Sequence, residues 1–135
     1  MKKKTIINTY DEEINTIYNQ KKYIMDVTFE KNKINKILNN FSNYHIKDDC
    51  KLIEYNLSYI NNLWNKDFCY LEQYNKLSKD KKIKYLNSRI DLYNNKVDTP
   101  AQIYFENGTI SFVNGRHRFC NLRDLGVEKM HFLVS

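Results

Sequence analysis

The first 99 residues contain neither glycine nor proline; all three glycines (108, 115 and 126), the one proline (Pro100) and the one alanine (Ala101) fall in the last 36. Nothing in the long N-terminal part therefore forces a left-handed turn or breaks a helix by ring geometry. No run approaches the roughly 20 apolar residues of a spanning helix, which excludes an integral helical membrane protein. Cysteine is scarce: Cys50, Cys69 and Cys120 are odd in number and show no CxxC spacing, which argues against a disulfide framework and against a zinc site. The basic start, Met1 to Lys4, meets Asn8 and Asp11 before an apolar signal-peptide core can form, so a reducing, cytoplasmic setting is expected.

What the chain does have is core material. Hydrophobic residues make up 41% of its 135 positions, with 11 Tyr and 7 Phe, although the mean hydropathy is -0.72. That suits one domain over 1–135 with a single core, and no repeat or flexible linker divides it. The net charge is +6, of which residues 1–98 hold +5 (18 basic, 13 acidic) and residues 99–135 hold +1 (four basic, three acidic). The lysines are scattered through Asn- and Tyr-rich sequence, the pattern of a solvated surface. Such basicity is compatible with a polyanionic partner without establishing one.

Apolar spacing predicts a helix-rich stretch over 31–95 and a β-hairpin–helix–strand unit over 101–134. Asp11, Glu12 and Glu13 suit the first turn of a helix at 10–20, and 23–29 reads as a strand. Ile34, Ile37, Leu38 and Phe41 share a helix face. A helix capped by Asp48 or Asp49 would place Ile53, Leu57, Ile60 and Trp64 together, and another is expected after Asp67. Ser78 can start a further helix carrying Ile83, Leu86, Ile90 and Tyr93. Residues 101–105 and 109–113 are β-prone and flank Asn107-Gly108, a strong hairpin signal. Residues 116–125 read as a short helix stopped by Gly126, and 129–134 as a closing strand that returns to the sheet. The class is thus α+β, a small mixed sheet with a helical insertion at about 42–96.

The chain has 18 Lys and four Arg, yet Arg116, Arg118 and Arg123 lie within eight residues of one another. Arginine is the side chain for bidentate recognition of phosphate or carboxylate. Here the cluster follows Asn114-Gly115 at a predicted helix start, where free N–H groups and the helix dipole favour an anion. Positive side chains at that end cost stability unless negative charge balances them. His117 adds an imidazole able to move a proton at pH 7. Asn114, Gly115, Arg116, His117 and Arg118 are the candidate phosphate-binding residues, with His117 the candidate catalytic one. The plain alternative is that Arg116 and Arg118 brace the fold through carboxylates such as Asp26 or Asp98. Asp124 is a local partner for a basic group, Cys120 suits a buried thiol, and His45 and His131 read as structural.

The run 109–119, followed by Leu122, Leu125-Gly126 and an apolar strand, resembles the ParB/sulfiredoxin-like superfamily in its strand, Gly-x-His-Arg turn, helix, Leu-Gly and strand. The likeness covers about 97–134, with a weaker strand-then-helix match at 22–41. It implies a fold in which the turn and helix start hold the phosphates of a nucleotide, with members described as nucleotide-binding, kinases or nucleases. Arg116 stands where sulfiredoxins carry their catalytic cysteine, so sulfiredoxin chemistry is not expected. The sequence ends at Ser135 before a second nucleotide motif and a DNA-reading helix-turn-helix, so centromere clamping is not expected either. What carries over is the cradle of Gly115, Arg116, His117 and Arg118.

Three functions fit these residues. The first is a domain that binds a nucleotide or other phosphate ligand at the 115–118 turn, with a nucleoside triphosphate and Mg²⁺ as implied cofactors. Phosphoryl transfer or phosphodiester hydrolysis would follow from it, His117 moving the proton and Asp26, Asp98 or Glu106 the nearest acids. The second is a non-catalytic DNA- or RNA-binding module that uses the same basic turn. The third is a protein-interaction domain that has lost the ligand and uses its helical insert as a contact surface.

Overall fold

A computed structural model describes residues 31–46, 49–64, 77–94 and 96–135. They form α1 (Lys31–Ser42), β1 (Lys51–Asn56), α2 (Leu57–Trp64), α3 (Lys79–Tyr93), β2 (Gln102–Glu106), β3 (Thr109–Asn114), α4 (Arg116–Asp124) and β4 (Lys129–Val134). The expected helix at 10–20, the strand at 23–29 and most of the helix after Asp67 lie outside the described residues. No helix among the described residues is long and apolar enough to cross a membrane.

The four strands make one mixed sheet in the order β1-β4-β2-β3. β1 pairs with β4 and β2 with β3, both antiparallel, while β4 runs parallel to β2. The α+β class is therefore observed, with one correction inside the stretch expected to be helical: 51–56 is a strand. Leu57, Ile60 and Trp64 do share the buried face of α2, but Ile53 belongs to the strand before it, opposite Phe132. Lys-Leu-Ile-Glu-Tyr-Asn has β-prone residues at alternate positions, and β4 offers its backbone as a partner. That pairing spans more than 70 residues, so local helical spacing could not reveal it.

Two turns follow directly from their residues. Asn107 (φ 52°) and Gly108 (φ 77°) both take the left-handed conformation that a two-residue hairpin loop demands. α4 ends in a double cap: Val127 N–H donates to Leu122 O and Gly126 N–H to Arg123 O, both at 3.0 Å, which satisfies carbonyls the helix would leave open.

Phe119 of α4 is fully buried against Trp64 of α2, Phe112 of β3 and Phe132 of β4, at ring-centroid distances of 5.8, 5.1 and 6.0 Å. Burying each such ring contributes roughly 1.5–3 kcal/mol, so this cluster fixes α4 on the sheet. On α3 the buried stripe is Tyr85, Leu86, Arg89 and Leu92, whereas Ile83 and Ile90 sit at its margins. The expected stripe is thus displaced by about one position, because the helix turns a polar pair, Tyr85 and Arg89, toward α4.

Candidate functional site

The polar seam between α3 and α4 sets the rotation of α4 about its axis. Arg89, buried, donates from Nε to Asn121 Oδ1 (2.6 Å) and from Nη2 to the Tyr85 hydroxyl (2.8 Å). Tyr85 in turn donates to Asp124 Oδ2 (2.7 Å). Asn121, with no solvent exposure, donates from Nδ2 to Tyr85 O (3.0 Å) and His117 O (2.9 Å). Burial drives the Tyr85 phenol far above its ordinary range, so it remains a neutral donor. Asp124 also receives Arg123 Nε (2.9 Å), whose Nη1 reaches Asn61 of α2 (2.9 Å). Arg123 is thereby part of the scaffold, and Asp124 is the local acid that the sequence indicated. Arg89, Tyr85 and Asn121 gave no sequence signal, since their partners come from separate elements.

Gly115 opens α4 with φ 80°, a left-handed conformation, and no side chain caps the helix. A Cβ at this position would lie 2.8 Å from Ala101 Cβ and 2.9 Å from Ala101 Cα. The close approach that glycine permits is therefore to the chain's own β2 entrance, which brings 99–102 beside the helix start. Arg118 uses this proximity: its Nη1 donates to the Thr99 carbonyl and to Thr99 Oγ1 (3.0 Å). Burial lowers the guanidinium pKa from its ordinary value, and the charge of Asp98 opposes the shift. Among the described residues Arg118 bonds to no carboxylate, and Thr99 occupies Nη1 alone. Asn114 accepts from Gln102 N–H (3.2 Å), closing the end of the β2–β3 pair.

Beside these groups lies a hollow of about 170 Å³, lined by Tyr44, Ile46, Cys50, Thr99, Pro100, Gln102, Asn114, Arg118 and Leu133. It is small against the ~300–1,000 Å³ usual for a whole bound cofactor and is matched to a compact group such as one phosphate. Cys50 lines it and accepts a weak bond from Gln102 Nε2 (3.5 Å).

Neither Arg116 nor His117 lines this hollow. Arg116 makes no hydrogen bond or ion pair among the described residues. The imidazole of His117 sits against the start of α3. Burial first, then the charges of Arg116, Lys84 and Lys81, hold its pKa below the ordinary 6.5, with Asp80 opposing. Its Nε2 is closed off from solvent and has no partner among the described residues. Burial pushes the Cys120 thiol up to about 12, which makes it an inert core group.

The sequence-predicted turn is thus divided. Asn114 and Arg118 line the hollow, Gly115 packs the helix start against Ala101, and His117 lies toward α3. The backbone N–H groups of Arg116, His117 and Arg118 precede the first intrahelical bond, from Phe119 N to Gly115 O. Of the candidate acids, Asp98 lies close enough to act on Arg118. Glu106 ends β2 at the hairpin, four residues (about 13 Å) along the strand from Gln102. Asp26 lies outside the described residues, among which no group of three His, Cys, Asp or Glu side chains could hold a metal ion. No family model, curated protein or solved structure matches the chain.

Proposed function

We propose that this chain is a ParB/sulfiredoxin-like domain that binds a nucleotide or another phosphorylated ligand at the start of α4. The observation that carries the reading is a balance of charge. Arg116 and Arg118 stand at the positive end of a helix that has no acidic residue in its first turn, and neither bonds to a carboxylate among the described residues. Cations at that end cost a few tenths to about 1 kcal/mol each, which an external anion would reverse. The hollow beside Arg118 offers such an anion a compact seat, with Asn114 and Gln102 as further polar groups. The hairpin, Gly-Arg-His-Arg turn, helix and parallel return strand support the family likeness; of the strand-then-helix match at 22–41, the helix is α1, and the strand lies outside the described residues.

Binding has stronger support than catalysis. His117 is kept neutral and lies between two helices rather than along the hollow, so proton transfer at a ligand in the hollow would require another group. A Mg²⁺ ion would be held chiefly by the phosphates of a nucleotide, with Asp98 as the candidate protein carboxylate. Thermal unfolding with a panel of nucleotides and inorganic phosphate, with and without Mg²⁺, tests the reading. A ligand at 100 times its Kd stabilises by about 2.7 kcal/mol, a rise of roughly 10 °C for a domain of this size. No shift with any member at millimolar concentration would refute it.

A further inference from the structure

We infer that Cys50 is a modification site for an anionic disulfide, glutathione disulfide being the common example, and that its thiol state governs access of phosphorylated ligands to the hollow beside Arg118. The sheet register brings the parts together. Leu52 of β1 lies opposite Leu133 of β4, Leu133 opposite Gln102 of β2, and Gln102 opposite Asn114 of β3. Cys50, just before β1, therefore reaches the end of the sheet where β3 leads into α4. There it shares the hollow of about 170 Å³ with Gln102, Asn114 and Arg118. Its Sγ accepts from Gln102 Nε2 at 3.5 Å, which holds the sulfur against the polar wall of the hollow.

The thiol and the guanidinium together suit one kind of reagent. Cys50 is half-buried and open to the hollow, whereas burial pushes the Cys120 thiol up to about 12. Arg118 bonds through Nη1 to Thr99 and meets no carboxylate among the described residues. A guanidinium binds carboxylates as well as phosphates. A disulfide whose carboxylate pairs with Arg118 therefore brings its S–S bond into the same hollow as Cys50, with Tyr44, Ile46 and Leu133 as an apolar wall for the sulfurs. The Cys50 thiol gives its proton to solvent, and the thiolate attacks one sulfur of the disulfide. A bond forms between Sγ and that sulfur, the original S–S bond breaks, and its electron pair leaves on the other sulfur as a thiolate. A free thiol reverses the step. The group left on Cys50 is anionic and takes the place of a phosphate beside Arg118. This consequence rests on the phosphate reading of the hollow; the thiol exchange does not.

The test uses the full chain in a Cys69→Ser background. Labelling rates are measured with dithiobis(nitrobenzoate), which carries a carboxylate on each ring, and with the neutral dithiodipyridine. One thiol of the folded chain reacts, and Cys50→Ser removes it. Arg118→Gln lowers the ratio of the anionic to the neutral rate roughly tenfold, through loss of a focused positive charge. Inorganic phosphate at constant ionic strength slows the anionic reagent. A chain carrying glutathione on Cys50 loses the thermal stabilisation by nucleotide that the free chain shows, and dithiothreitol restores it. An unchanged ratio, or full nucleotide stabilisation of the glutathionylated chain, overturns the inference. If Arg118→Gln fails to fold and so exposes Cys120 to the neutral reagent, the phosphate competition in the parent decides, and no slowing overturns the inference. A lowered ratio in Arg118→Gln with no nucleotide stabilisation of the free parent overturns the nucleotide reading instead and leaves the thiol site standing.

Discussion

Replacing Gly115 by alanine probes the joint on which the candidate site depends. Two costs separate cleanly, because Gly108 has nearly the same backbone conformation (φ 77° against 80°) but nothing within 4 Å of its would-be Cβ. Gly108→Ala measures the conformational cost alone, about 1–2 kcal/mol for an L-residue in left-handed geometry. Gly115→Ala adds a Cβ at 2.8 and 2.9 Å from Ala101, closer than real side chains approach. Moving β2 or α4 to relieve that overlap costs a further ~1–3 kcal/mol. Urea unfolding of the two variants should therefore differ by about 1–3 kcal/mol, with Gly115→Ala the weaker. Ala101→Gly in the Gly115→Ala background removes the overlap between the two methyl groups. The clash with the backbone of residue 101 stays, so only part of the difference is restored. Equal losses at positions 108 and 115 would show that the approach to Ala101 is not what fixes the helix start.

Two further outcomes follow from the titrating groups. His117 has a lowered pKa in the fold, so the unfolded chain takes up a proton near its ordinary value of 6.5 while the folded chain does so only at lower pH. The His117 contribution is complete above pH 6.5 and is lost as pH falls through the folded value. His117→Asn should flatten the stability profile in that window, and an unchanged slope would contradict the charge placement around α3. Iodoacetamide at pH 8 should label Cys50 in the folded protein and spare Cys120 until it unfolds, in a Cys69→Ser background. Rapid labelling of Cys120 would contradict its burial.

The parts of this fold legible in the sequence are those that local chemistry decides. Asn107-Gly108 announced the hairpin, Ser78 accepts from Lys81 N–H (3.4 Å) as the expected start of α3, and Gly126 stopped α4. The cluster of arginines after Gly115 was also legible as an anomaly of charge. What distant partners decide was not. β1 exists because β4 pairs with it, and Arg89 and Asn121 are buried because each satisfies the other. The split of the basic turn has the same origin. Successive helix residues point about 100° apart, so packing of α4 on α3 sends His117 to one side and Arg118 to the other.

Arg118 gives the most direct trial of the central claim, because its guanidinium lines the hollow and makes no ion pair among the described residues. Calorimetric titration of nucleoside triphosphates with Mg²⁺ into the parent and into Arg118→Gln is the decisive comparison. The account predicts saturable binding to the parent, weakened at least tenfold in the variant, with the variant still showing a cooperative urea transition well above the conditions of the titration although it has lost the bonds to Thr99. Equal affinities, or no heat from either protein at millimolar nucleotide, would contradict it.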